Sequence, residues 1–239
     1  MPDVTIERMP TPADEADPVV RRRAAWHIEQ ELIEGVPTPE AEPDVFVRRW
    51  LSWRIDDRAR AASGRPCRIT SVPTPEEEPD EAVRYHIADR MQPELIAPLP
   101  TVDEQPCAVV RHLLASRIPA ADIARLPAME EEPSDCVRQR LARRIPPERL
   151  TAIPTREDEP DPMVRRAVAG RISPELIGRV RSRAEEPDEC VRRQIAMHIP
   201  ADRIERVPME EDEPDAGVRT WLARRKPPAQ AAPAGPGYR

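Results

Sequence analysis

Apolar side chains recur along the chain with a period of 27 residues and divide it into eight units. The clearest marker is a Val-Arg dipeptide, whose valine we number as position 0 of each unit. These valines are Val20, Val47, Val83, Val110, Val137, Val164, Val191 and Val218. Every step is 27 residues except the second, from Val47 to Val83, which is 36. A fixed period of this size predicts a solenoid, in which each unit packs only on its neighbours.

Within each unit, apolar residues at positions 0, +4 and +8 predict the buried stripe of one α-helix. Position −3 is usually Asp or Ser, which are favoured N-caps, and proline ends most of these helices after position +8. Position +5 is alanine in seven units and serine in one, so neighbouring helices are expected to approach closely. Apolar positions +13 and +16 follow, and their spacing predicts a short α-helix or a 3₁₀ turn. No unit alternates as a β-strand does.

The shared motif Asp-x-x-Val-Arg-x-x-Leu-Ala-x-Arg-Ile-Pro-x-Glu-x-Leu resembles the leucine-rich repeat variant family over residues 10–226. The resemblance implies an all-α, right-handed superhelical solenoid in which α-helices alternate with 3₁₀ helices. HEAT-like repeats of the phycobilisome-lyase class, which have an armadillo-type fold, are similar in the Asp-x-x-Val-Arg segment. The chain departs from the variant family in its longer unit and in lacking the cysteine-rich segment that holds an iron–sulfur cluster in some members. Those members occur in nitrogen-fixing bacteria, so the resemblance implies such a setting.

Three segments follow from this pattern. We expect an N-terminal extension at 1–9, the solenoid at 10–226 with an irregular insertion within 56–68, and a disordered Pro/Ala/Gly tail at 227–239. Aromatic residues make up only 3 %, which suits a thin continuous core. The chain has no apolar run long enough for a membrane span, no signal peptide and no Cys-x-x-Cys pair, so we expect a cytoplasmic protein.

Two basic columns run through the repeats. Position +1 is arginine in every unit and lies inside the apolar arc of the helix, so we expect a ladder of ion pairs with the acidic loops. Its members are Arg21, Arg48, Arg84, Arg111, Arg138, Arg165, Arg192 and Arg219. Position +7 is arginine or histidine and could follow a phosphate backbone. The net charge of −7 and the alternating acidic loops argue against a nucleic-acid partner.

Five of the seven aromatic residues fall in the first three units. Trp26 and Trp53 share position +6, Trp50 is at +3 and Tyr85 at +2, all away from the core stripe. Outward tryptophans on neighbouring units are typical of a partner-binding patch. The alternative is that the N-terminal extension or the insertion covers them as a cap for the end of the array.

The dispersed Cys and His residues and the absence of a glycine-rich phosphate loop predict no catalytic, metal or cofactor site. We therefore predict a non-catalytic scaffold for protein–protein interaction with an unidentified partner. A HEAT-like lyase or an iron–sulfur accessory protein is the alternative, and a nucleic-acid-binding solenoid is the second. The last unit stops near Lys226 without a second element. Its apolar side needs cover from the tail or from another chain, and the latter would give a homodimer through the C-terminal repeat.

Overall fold

The computed structural model describes residues 6–226, and at 58 and 59 it describes the backbone only. The tail predicted at 227–239 and the first five residues of the predicted extension lie outside this range. Within it, every regular element is an α-helix or a 3₁₀ turn, so the predicted all-α repeat fold is confirmed. No helix among these residues has the length and hydrophobicity needed to cross a bilayer.

The described residues fall into two units, which meet in sequence at Ile123 and Ala124. The first holds α1 (Pro18–His27), α2 (Val45–Arg54), α3 (Asp57–Ala62), α4 (Glu81–Arg90) and α5 (Ala108–Arg117). The second holds α6 (Asp135–Ala142), α7 (Pro162–Ala169), α8 (Glu189–His198) and α9 (Ala216–Arg225). Packing follows sequence order, with α1 on α2, α2 on α4 and α4 on α5, then α6 on α7, α7 on α8 and α8 on α9. This is the neighbour-only packing of a repeat solenoid.

Aspartate at position −3 begins most helices as predicted. The Asp44 carboxylate accepts hydrogen bonds from the Phe46 and Val47 amides at 3.0 and 3.1 Å, which satisfies two of the free donors of α2. Ser134 occupies the N-cap of α6 as predicted, but its hydroxyl makes no capping bond. The neighbouring Asp135 carboxylate instead accepts the Cys136 amide at 2.6 Å.

The core lies along the predicted columns, with positions 0, +4, +5, +8 and +13 buried in the internal repeats. Val20, at position 0 of α1, is 45 % exposed, whereas Val47 and Val83 at the same position are fully buried. Position 0 therefore packs against the preceding repeat, and α1 has no preceding repeat within the described residues.

The second element is a 3₁₀ turn in six repeats, and the buried residue at +13 follows each turn. These turns are Gln30–Leu32, Pro93–Leu95, Ala120–Asp122, Pro147–Arg149, Pro174–Leu176 and Ala201–Arg203. The repeat with the insertion forms α3 instead, and its nine extra residues place Ile69 in the buried +13 position. The buried Asp57 carboxylate accepts the Arg68 and Ile69 amides at 2.6 and 2.5 Å, which closes this longer segment.

Candidate functional site

Most arginines at position +1 join two repeats. In Arg165, Nε and Nη2 both donate to the Glu186 carboxylate of the next repeat at 2.7 Å, while Nη1 donates to the Glu159 carbonyl of its own repeat at 2.7 Å. Both side chains are buried, with exposures of 2 % and 0 %. The same two-pronged pair joins Arg21 to Glu42, Arg48 to Glu78, Arg138 to Glu159 and Arg192 to Glu213. A planar guanidinium fits a carboxylate in this way, whereas a lysine would not.

The glutamates in these pairs stand at position −5, in a recurring Glu-Pro-Asp tripeptide. Besides binding arginine, each carboxylate accepts the amide of the aspartate two residues later, as Glu186 does from Asp188 at 3.2 Å. The sequence pointed only to the acidic loops in general. The regular spacing of this tripeptide was the signal that could have identified the glutamate as the residue that pairs with each arginine.

A second row of ion pairs, which we did not predict, runs beside the first. Three arginines at position +2 bind the N-cap aspartates of the next repeat, joining Arg22 to Asp44, Arg49 to Asp80 and Arg193 to Asp215. The guanidinium groups lower the pKa of each aspartate by hydrogen bonding to its charged form. Each capping aspartate thus serves both its own helix and the junction with the previous repeat.

Both rows change at the junction between α4 and α5. Arg84 is buried like the other arginines of its column, yet it meets Gln105, whose Oε1 accepts from Nε at 3.2 Å. In the second row Tyr85 replaces arginine and Cys107 replaces the capping aspartate. This junction therefore lacks both ion pairs that join other repeats.

Several arginines at position +7 contact backbone carbonyls at or just after the end of the preceding helix. Arg225 donates to the Ile199 and Met197 carbonyls at 2.9 and 2.7 Å. Arg171 donates to the Ile145 carbonyl at 2.8 Å, and Arg54 and Arg117 make equivalent contacts. Carbonyls at the end of a helix have no partner within it and carry partial negative charge. These contacts favour a structural role for the column over tracking of a phosphate backbone.

The four candidate partner-binding residues, which we call the aromatic strip, lie on α1, α2 and α4. The Trp26 and Trp50 rings are nearly perpendicular (82°), with centroids 4.0 Å apart. The Trp50 and Trp53 rings meet edge to face at 5.5 Å. Trp26 is 50 % exposed and Trp53 48 %, while Trp50 and Tyr85 are half-buried. Tyr85 makes its ring contact with His86 at 5.8 Å, and no ring contact joins it to the tryptophans.

The insertion contacts the first repeat at another place. Arg68 donates to the Gln30 and Glu31 carbonyls of the 3₁₀ turn after α1, at 3.2 and 2.6 Å. In the second unit, Arg203 makes the equivalent contacts with the Glu175 and Ile177 carbonyls of the repeat that precedes its own. The insertion thus reproduces a contact between repeats, and the outer faces of Trp26 and Trp53 stay open.

Phe46, which sequence reasoning placed only in an apolar column, extends the aromatic surface. It is 47 % exposed, and the Arg22 and Arg49 guanidinium groups lie 4.6 and 5.6 Å from its ring centroid. Both arginines are already oriented by their ion pairs with Asp44 and Asp80. The cation–π geometry therefore costs them little additional freedom.

Shallow grooves lie between neighbouring loops on the side of the 3₁₀ turns. One of them, of about 620 Å³, is lined by Ile153, Arg156, Leu176 and Arg179 among others. Arg179 pairs with Glu185, and Arg125 and Arg206 pair with Glu131 and Asp212 in the same way in other repeats. Similar grooves recur at other junctions, so repeat geometry accounts for them. Among the described residues no group of three His, Cys, Asp or Glu side chains is placed to hold a metal ion.

This architecture defines the class of the protein, an all-α repeat protein whose units pack in sequence order. The chain is similar to a solved structure described as a leucine-rich repeat variant with a novel repetitive protein structural motif. The TM-score is 0.54 and the sequence identity 27 %, over 88 % of this chain and 78 % of that one. No protein-family model and no curated protein matches the chain. The resemblance that the repeat motif predicted is confirmed at the level of this fold.

Proposed function

We propose that the protein is a non-catalytic scaffold that binds a protein partner through the aromatic strip on α1, α2 and α4. The observation that carries the proposal is the half-exposed pair Trp26 and Trp53 on adjacent repeats. The resemblance to a repeat protein supports a scaffold, since stacked repeats present extended surfaces for binding. A bacterial, nitrogen-fixation setting rests on the family resemblance alone.

The fold itself does not require tryptophan at these positions. In other repeats position +6 holds Ser116, Arg143, Gly170 or Met197, and those helices pack in the same order. An exposed tryptophan pair is therefore an addition to the scaffold. Tryptophan supplies a large rigid contact area, and it is enriched among the residues that dominate binding energy at interfaces.

The surroundings of the strip suggest the chemistry of the partner. Arg23 and His27 are exposed on α1 beside Trp26, and Phe46 continues the apolar surface on α2. A partner segment that packs an apolar side chain on the exposed faces of Trp26 and Trp53 and carries carboxylates at its edge matches this arrangement. Aromatic residues and arginine are the types that interfaces favour, while a charged rim directs the approach.

The test compares two double variants of the full chain as baits. Trp26→Ala with Trp53→Ala removes the exposed rings, and Arg143→Ala with Met197→Ala changes the same +6 column in the second unit. We expect both to keep the helical circular dichroism spectrum and melting temperature of the native chain. A partner identified by affinity capture and mass spectrometry, then purified, should bind the tryptophan variant at least about tenfold more weakly. The control should bind it as the native chain does.

Two results would contradict the proposal. If the tryptophan variant captures the same partners with unchanged affinity, the strip is not the docking surface. If it loses its folded state, the tryptophans stabilise the end of the array, which is the capping role that the sequence left open.

A further inference from the structure

Exposure shows which side of a repeat each column faces. Position +5 is fully buried at Ala25 and Ala88, which are each followed by another helix of the same unit, but Ala223 on α9 is exposed. Position +5 therefore faces the following repeat. Position 0 faces the preceding one, since Val20 on α1 is exposed while Val218 on α9 is fully buried. The described chain thus begins with an open position-0 surface and ends with an open position-5 surface.

The ion-pair ladder is also incomplete at both ends, in opposite senses. Glu15 occupies the −5 column and its carboxylate accepts the Asp17 amide at 2.8 Å, as the internal glutamates do, but it is half-exposed and pairs with no described arginine. Arg219 donates Nη1 to the Glu213 carbonyl at 2.5 Å, as internal arginines do to their own loops, but no described carboxylate meets its other nitrogens. The first repeat holds an acceptor without a donor, and the last holds a donor without an acceptor.

We propose that copies of this chain associate head to tail through these two ends. The Arg219 guanidinium of one copy binds the Glu15 carboxylate of the next, and Val20 of that copy packs on Ala223. The contact would repeat the chemistry of the internal junctions, such as Arg192 with Glu213, so both partners already have the required local geometry. Because the two surfaces differ, the contact is heterologous and generates rings or open chains of copies.

The same charges disfavour the homodimer through the C-terminal repeat that the unfinished last unit suggested. A symmetric contact between two C-terminal repeats would contain two Arg219 side chains and neither Glu15 carboxylate. Like charges in a contact of this kind oppose association, whereas the head-to-tail contact brings opposite charges together. Charge complementarity therefore favours contact between the last repeat of one copy and the first repeat of the next.

The experiment reverses each charge in the full chain and measures association by sedimentation velocity over a range of protein concentrations. We expect the native chain to sediment faster as concentration rises. Glu15→Arg and Arg219→Glu should each sediment as the monomer at all concentrations, because each places like charges at the contact. An equimolar mixture of the two variants should recover association, since each end of one variant then meets an opposite charge on the other. The double variant Glu15→Arg with Arg219→Glu should recover it alone.

Circular dichroism of each single variant checks folding, and recovery in the mixture shows that neither variant is misfolded. The proposal is overturned if the native chain stays monomeric at every concentration. It is also overturned if Glu15→Arg associates as the native chain does, because a contact through the C-terminal repeat alone would be insensitive to Glu15. If both single variants still associate, this contact is likewise excluded.

Discussion

At the scale of single residues, the arginines of the ladder are buried with their charges because their nitrogens have hydrogen-bond partners. Arg138 is 3 % exposed, yet Nε and Nη2 donate to Glu159 at 2.7 and 2.9 Å and Nη1 donates to the Glu132 carbonyl at 2.7 Å. Hydrogen bonding to Glu159 raises the pKa of Arg138, which keeps the side chain charged despite its burial. Desolvation of such a pair costs several kcal/mol per ion, so the net contribution depends on keeping both partners.

We expect Arg138→Ala to lower the free energy of unfolding by about 3–5 kcal/mol, because it leaves the Glu159 carboxylate buried without its counter-charge. Thermal or urea denaturation measures the change. Arg143→Ala removes an exposed arginine from the end of the same helix and should change stability by less than about 0.5 kcal/mol. An unchanged melting temperature for Arg138→Ala would contradict the stabilising role of the ladder.

At the scale of elements, the junction between neighbouring helices is the repeated structural unit. At each complete junction an arginine at +1 binds the glutamate at −5 of the next repeat, and a small residue at +5 is buried. At several of them a +7 arginine contacts carbonyls at the end of the preceding helix. The α4–α5 junction keeps the buried Arg84 but offers it the neutral Gln105. A buried guanidinium without a carboxylate is stabilised less than its counterparts in the complete junctions.

We therefore expect Gln105→Glu to raise the free energy of unfolding by about 1.5–3 kcal/mol, the range for hydrogen bonds to charged groups. The new carboxylate would accept two bonds from Arg84, as Glu159 does from Arg138. The reverse change at a complete junction, Glu159→Gln, should lower stability, and chemical denaturation compares the two. Equal or lower stability of Gln105→Glu would show that this junction is not limited by its missing charge.

For the whole molecule, stability in such an array is approximately a sum over repeats and junctions. Acid should weaken many junctions at once, because the same carboxylates recur along the chain. Arg22, Arg49 and Arg193 hold the pKa of Asp44, Asp80 and Asp215 below the usual value. Their contribution to stability is present above the unfolded pKa of about 4 and is lost as pH falls through the lower folded pKa.

We expect the melting temperature to fall as pH decreases from about 5 to about 2, the range in which such carboxylates take up protons. In Asp44→Asn with Asp80→Asn the fall should be shallower, because asparagine still caps a helix but cannot lose a charge. Scanning calorimetry at low ionic strength measures both curves. A variant with an undiminished pH dependence would show that these aspartates do not contribute to it.

Much of the fold was predictable because its rules are local and repeated. Val164 and Val168 lie on the buried side of α7, and Asp161 caps the helix. Ile172 is buried as predicted, but it follows the helix, which ends at Ala169. The proline after Ser173 lies where the 3₁₀ turn begins. The aromatic strip was predictable as a set of outward residues for the same reason. Its geometry was not, since the contact between Trp26 and Trp50 joins different repeats.

By itself, the sequence determined the period, the helical fold, the core columns and the acidic loops, because each follows from spacing along one chain. Only the tertiary structure decided which glutamate binds Arg165, which carbonyls the +7 arginines cap, and that Ile69 takes the buried place after the insertion. It also decided that Val20 and Arg219 are left open at the two ends. These contacts depend on how one repeat is rotated and shifted against the next, a relation that residue spacing within a repeat does not contain.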